Sequence, residues 1–188
     1  MKIGRLLLRL TVGSLFIGHG TQKLLGWFGG YGLDATAQGF EAMGMRPGRR
    51  NAIAAGATET GAGAALALGF ATPLAASGLV ATMLTAINRV HLKNGPWVTN
   101  GGYEYNLVMI AAVLALVEVG PGELSLDHAL GTERSGSGWA LASLAMGVAG
   151  AAGAHLLAEA TPPSQPDPAQ ATGDGAAESR EAETEHAA

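Results

Sequence analysis

His19, Gln22 and Lys23 stand at i, i+3 and i+4 within LLLRLTVGSLFIGHGTQKLLGWF, a run otherwise apolar enough to sit in lipid. Residues at that spacing share one face of a helix. A histidine above a lysine on such a face can hold an anion, donate to a carbonyl oxygen or move a proton. A charge at the centre of a bilayer costs about 2.5–3.5 kcal/mol on insertion scales. Lys23 therefore requires a partner, and Glu59, alone in the apolar GATETGAG, is of the right type. The sequence predicts that Glu59 pairs with Lys23 or with His19. Ionisable groups inside apolar helices are often functional, but an ion pair that only fixes helix register satisfies the same pattern.

The elements that must position these residues are helices of near-spanning length. Five segments are predicted, at about Leu6–Phe28, Arg50–Phe70, Pro73–Leu92, Tyr103–Val119 and Trp139–Glu159. The apolar start after Lys2 resembles a secretory signal, but no small-x-small site follows and HGTQKLLGWF continues as helix, so it reads as an uncleaved first span. The second and fifth segments are rich in Ala and Gly, which let helices approach closely. Between the first two lies a short surface helix, with Asp34 as its N-cap, Leu33, Ala37 and Phe40 on one face and Gly44 as its stop. KNGPWVTNGG forms a turn cluster before the fourth segment. No period-2 strand pattern of any length occurs.

Composition agrees. The 188 residues are 48% hydrophobic and 14% charged, with no cysteine, which excludes disulfides and thiolate chemistry. The net charge of −4 is concentrated in residues 161–188, where six acids face only Arg180; the remainder is nearly neutral, with no basic face for nucleic acid. The fold class is all-α: a polytopic transmembrane bundle of four helices, a fifth helix, and a disordered acidic tail. The expected division is a membrane domain at 1–130, a linker and additional helix at 131–160 with that helix peripheral, and the tail at 161–188.

Connectivity brings the ends of the first and third segments, and the starts of the second and fourth, to one side. His19 and Glu59 each lie nine residues from that side, about 14 Å deep at 1.5 Å per residue. With Gln22, Lys23, Asn88, Arg89, His91 and Glu104 they outline a polar shaft running from the surface to mid-depth. Arg89 and Lys93 can snorkel to headgroups. Arg5, Arg9 and the arginines of 46–50 read as interfacial charges, and His128 and His155 as isolated. No HxxxH or ExxH spacing supports a metal site. Trp27, Phe28, Tyr31, Trp97, Tyr103 and Tyr105 mark the shaft side, as an interfacial belt or as the entrance for a planar ligand. Basic residues divide evenly between the two sides and assign no orientation.

From Lys2 to Leu130 the chain resembles the DoxX family of small bacterial membrane proteins, on HGTQK, the glutamate of GATETGAG, INRVHLKNG and GGYEY in that order. The resemblance implies a multi-pass protein of the bacterial plasma membrane tied to a quinone- or sulfur-linked redox system but not to a defined reaction, with a quinone or a small sulfur anion as the candidate ligand and soluble redox enzymes as candidate partners. It matches the family's characteristic polar residues at His19, Gln22, Lys23, Glu59, His91, Asn94 and Glu104. Two other functions fit the same residues: a small-molecule or proton-coupled transporter, and a scaffold without its own catalysis.

Overall fold

A computed structural model describes residues 2–162. The expected acidic tail, apart from residues 161 and 162, lies outside them. Seven α-helices account for the described chain, which has no strand: α1 (Ile3–Leu25), α2 (Gly32–Ala42), α3 (Gly48–Leu68), α4 (Thr72–Ala86), α5 (Glu104–Val119), α6 (Leu126–Ala129) and α7 (Ser137–Glu159). The five expected segments are α1, α3, α4, α5 and α7. The surface helix is α2, but it starts at Gly32 with Tyr31 as N-cap. Asp34 sits in its first turn, not at its cap, and pairs with Arg49 of α3 at 2.5 Å, both side chains largely exposed. The short α6 was not legible in the sequence. The third segment is not one helix, because α4 passes at Ala86 into a π turn, Ile87–His91.

Glycines set the closest packing. A Cβ on Gly13 of α1 would lie 2.6 Å from the carbonyl oxygen of Gly63, and one on Gly63 would lie 2.8 Å from that of Gly13. A Cβ on Gly20 would lie 2.5 Å from the oxygen of Gly56. Both pairs obey one antiparallel register, so α1 and α3 touch backbone to backbone along two turns. A similar approach joins α7 to α4: Gly147 packs on Val80 and the Ser77 carbonyl, and Ser143 donates to the Pro73 oxygen at 3.0 Å. The fifth helix is thus at the edge of the bundle but seated on α4 and α5, more than the peripheral element expected.

The apolar core fills one half of the bundle. Val12, Phe16, Leu66, Leu79, Val80, Val113, Leu116 and Val117 meet there. The end nearest this core is closed by two polar knots. Arg9, expected at the interface, is only 3% exposed. Its Nε donates to the Ala67 oxygen at 3.0 Å, and its Nη atoms donate to the carbonyls of Pro121 and Leu124. One guanidinium thereby satisfies the end of α3 and the α5–α6 loop, whose carbonyls would otherwise be orphaned. The second knot is Asp127 of α6, 2% exposed. It accepts from the amides of Ala71 (2.9 Å) and Thr72 (3.0 Å) and from the hydroxyls of Thr72 (2.8 Å) and Thr132 (3.1 Å). Ala71 is left-handed at φ +44°, a costly geometry for a residue with a Cβ, and the carboxylate holds it in place at the start of α4. Burial alone would raise the Asp127 carboxyl, but these hydrogen bonds outweigh it and hold the group below the usual carboxylate range.

Two predictions test this framework. Gly63→Ala should lower stability in detergent by about 1–3 kcal/mol, because the methyl meets backbone that cannot turn aside. Gly61→Ala, two residues along with nothing within 4 Å of the new methyl, should be neutral or stabilising by up to about 1 kcal/mol. Equal losses would mean the glycine seam is not close-packed. Asp127 has a depressed folded pKa, so its stabilisation is present above the unfolded value of about 3.9 and is lost as pH falls through the folded value. The gap in melting temperature between the parent and Asp127→Asn should accordingly be widest near neutrality and narrow below about pH 4. A gap unchanged from neutral to acid would refute the charged cap.

Candidate functional site

The half of the bundle not filled by the core holds a half-open cavity of about 660 Å³. Every long helix contributes to its wall. Phe40, Met43 and Met45 come from α2 and the turn after it, Asn51, Thr58 and Glu59 from α3, Thr82 and Met83 from α4, Arg89 and His91 from the π turn, Tyr105 and Asn106 from α5, and Gly150 and Ala154 from α7. His19 and Lys23 enter from α1. The volume lies within the range of small-molecule sites, and the wall has their usual make-up of apolar surface with a few convergent polar groups.

Lys23 and Glu59 form the pair on this wall. Lys23 Nζ donates to Glu59 Oε2 at 2.6 Å, and reaches the His19 carbonyl at 3.4 Å. Of the two partners open in the sequence, Glu59 therefore takes Lys23. The carboxylate side chain is 5% exposed and the lysine 26%, so the pair is rooted in protein and opens towards the cavity through its cation. Lys23 lies three residues past Gly20 on α1 and Glu59 three residues past Gly56 on the antiparallel α3, so the pair spans the close Gly20–Gly56 contact from either side. The ring of His19 stands edge-on to that of Tyr105, with centroids 6.3 Å apart. Among the described residues neither the His19 ring nitrogens nor the Tyr105 hydroxyl has a hydrogen-bond partner. Tyr105 is close enough to feel the charge of Glu59. Together these groups give the cavity a face with an anchored carboxylate, a lysine with a donor to spare, an imidazole and a phenol.

The seven sequence candidates divide. His19, Lys23, Glu59 and His91 line the cavity. Gln22, Asn94 and Glu104 do not, and each holds backbone instead. Gln22 Nε2 donates to the Phe28 oxygen at 3.3 Å, Asn94 Nδ2 to the Gly101 oxygen at 3.1 Å, and Glu104 accepts from the Val98 amide at 2.9 Å. His91 joins the same loop through the Gly101 oxygen, 2.7 Å from Nδ1. Asn51, Asn106 and the methionines were missed. Their helical positions carry no sequence signal apart from polarity within apolar runs, which Asn51 and Asn106 do show. Arg89, placed in the shaft by the sequence with headgroup snorkelling as the alternative, lines the cavity and meets Glu159 of α7 at 3.3 Å. No group of three or more His, Asp or Glu that could hold a metal occurs among the described residues.

Removing one member of a buried pair leaves an uncompensated charge, whereas removing both can be nearly neutral. Lys23→Met and Glu59→Gln should each cost about 3 kcal/mol in detergent melting, the double variant far less than their sum. Strictly additive losses would show that the two do not interact in solution.

Of the described helices, α7 alone is long and apolar enough throughout to cross a membrane by length and composition, with a mean hydropathy of 1.6 over its most apolar stretch. The others are shorter, as α4 and α5 are, or carry charges, as α1 and α3 do. Residues 4–92 match the family model described as DoxX. Over 126 residues the chain is 32% identical to the protein of Bacillus subtilis (strain 168) named "Putative oxidoreductase CatD", covering 67% of this chain and 86% of that one. No solved structure matches. The order of elements, the match from the first helix to the π turn and the likeness along most of the Bacillus protein agree: this chain belongs to the DoxX family, whose members are membrane proteins.

Proposed function

We propose that this protein crosses the bacterial plasma membrane several times and serves there as a subunit of a redox system, its cavity binding a quinone. The observation that carries the reading is the cavity itself, where the His19 ring and the Tyr105 hydroxyl, without partners among the described residues, stand with the Lys23–Glu59 pair in a largely apolar wall. A largely apolar pocket with a few convergent polar groups is the usual make-up of a small-molecule site. Quinones supply two-electron, two-proton chemistry when bound. The chain's part would be to seat the ring between Phe40 and the methionines, to donate hydrogen bonds to a carbonyl oxygen from His19, Tyr105 or Lys23, and to hold a proton at the Glu59 carboxylate. Electrons would come from a soluble redox-enzyme partner, and the name of the Bacillus relative is in keeping with such chemistry.

Several spans are supported by the exterior. Leu7, Leu15, Leu68, Leu74, Val108, Leu141 and Leu156 are exposed around the bundle, and Trp27, Phe28, Tyr31 and Trp97 are exposed near the cavity end. The 23 residues of α1 and the 21 of α3 give about 30–35 Å of helix, the thickness of a hydrocarbon core. The packed core behind the cavity argues for a binding site closed at its inner end over a permeation path.

Protein purified from its own membrane should carry quinone detectable by mass spectrometry. A short-chain quinone titrated into the stripped protein should bind saturably. His19→Phe and Tyr105→Phe should each weaken that binding about tenfold, equivalent to one hydrogen bond of about 1.4 kcal/mol. Absence of both carried quinone and saturable binding sinks the reading, and substrate counterflow in liposomes would replace it with a carrier.

A further inference from the structure

The geometry points to a second polar pole in this cavity, an oxyanion subsite at the edge between the π turn and α7, formed by Arg89 and His155. It rests on the cavity being a ligand site, as proposed above, but not on the ligand being a quinone. Arg89 lines the cavity, yet its guanidinium is poorly used by the protein. Nη2 reaches Glu159 at 3.3 Å, longer than the 2.7–2.9 Å usual for such charge-assisted bonds. That carboxylate side chain is 65% exposed, so water competes for it. Nη1 lies beside Gly44 in the turn after α2. Nε is buried with no acceptor at all. One turn before Glu159 on α7, His155 also has a buried nitrogen, Nε2, without a partner, and its ring lies within electrostatic reach of Arg89. Its neighbour Ala154 is on the cavity wall.

Arg89 on the cavity wall and His155, next to the wall residue Ala154, each keep a buried nitrogen without a partner, and one acceptor between them would satisfy both. The Nε–Nη fork of a guanidinium fits a carboxylate or phosphate, and an imidazole can add a third donor. Apolar wall adjoins the pole at Met43 and Met45. The ligand class is therefore an oxyanion on an apolar chain, whether a free acidic amphiphile or a lipid with a phosphate headgroup. Lys23, at the other pole, is already committed to Glu59.

The full chain, purified in a neutral maltoside detergent, is titrated with decyl phosphate and with decanol. Decyl phosphate should bind saturably and at least tenfold more tightly than decanol. Arg89→Gln should weaken it at least tenfold and His155→Gln severalfold. Arg89→Lys, which keeps the charge but loses the fork, should weaken it severalfold and serves where the glutamine variant does not fold. Glu159→Gln should leave binding unchanged or tighten it, because it frees the guanidinium. Competition by inorganic phosphate assigns a free anion; competition by phosphatidylglycerol nanodiscs, but not by phosphatidylcholine ones, assigns a lipid headgroup. Equal affinity for decyl phosphate and decanol overturns the proposal. So does unchanged binding by both Arg89 variants, or a loss in Glu159→Gln as large as in Arg89→Gln, which would make the Arg89–Glu159 pair a structural tie. A quinone titration on the same preparation separates the two readings, since its failure beside intact decyl phosphate binding removes only the quinone.

Discussion

The bundle depends on the backbone contact of α1 with α3. Where Gly13 meets Gly63 and Gly20 meets Gly56, no side chain separates the two helices. Dispersion between backbones is strongest at such short range, and the fit allows one register. That register also sets the ion pair. Glu59 falls between Gly56 and Gly63 on α3, inside the seam, and Lys23 lies one turn past Gly20 on α1, so the pair spans the Gly20–Gly56 contact and shows its cation to the cavity.

The two ends of the molecule divide the work. At one, large aliphatic side chains fill the interior, and Arg9 and Asp127 gather loose backbone groups into closed knots. The three hydrogen bonds from Arg9 and the four to the Asp127 carboxylate all serve the chain itself. At the other, polar side chains reach the interior with part of their hydrogen-bonding capacity unspent. The first end spends its polar groups on the fold, whereas the second, its ion pair apart, keeps groups free for a ligand.

Much of this was legible in the sequence. Segment length and apolar content gave five of the seven helices, and the cost of a lone charge in an apolar run led from Lys23 to Glu59. What misled was the assumption that polar residues near a helix end face a common interior. Gln22, Asn94 and Glu104 lie where the chain turns, and turns have orphaned amides and carbonyls of their own to satisfy. Arg9 shows the reverse error. An arginine within two turns of a helix start ordinarily reaches solvent, but here three carbonyls from distant segments converge on it, which no local pattern reveals. Asp127 was invisible for the same reason, because Ala71 and Thr72, which it caps, are more than fifty residues away. His155 and Arg89 share no spacing; the packing of α7 on α4 brings them together.

The π turn after Ala86 bears on which changes of length the gene can tolerate. Such a turn holds one residue more than the α-helical turn it replaces. Deleting a single codon within residues 87–91 would let α4 run on as regular helix with no break in its hydrogen bonds. Each residue of an α-helix turns the chain by about 100°, and the wide turn absorbs that rotation for its extra residue, so the elements after the deletion would keep their bearing. Only the side chains within the turn would be re-aimed, Arg89 and His91 among them, while the hydrophobic half of the bundle kept its packing. A shortened homologue of this kind would fold as a close copy of this one and yet lack two of its cavity-lining side chains, and an alignment that slides a gap freely through INRVH would conceal the difference.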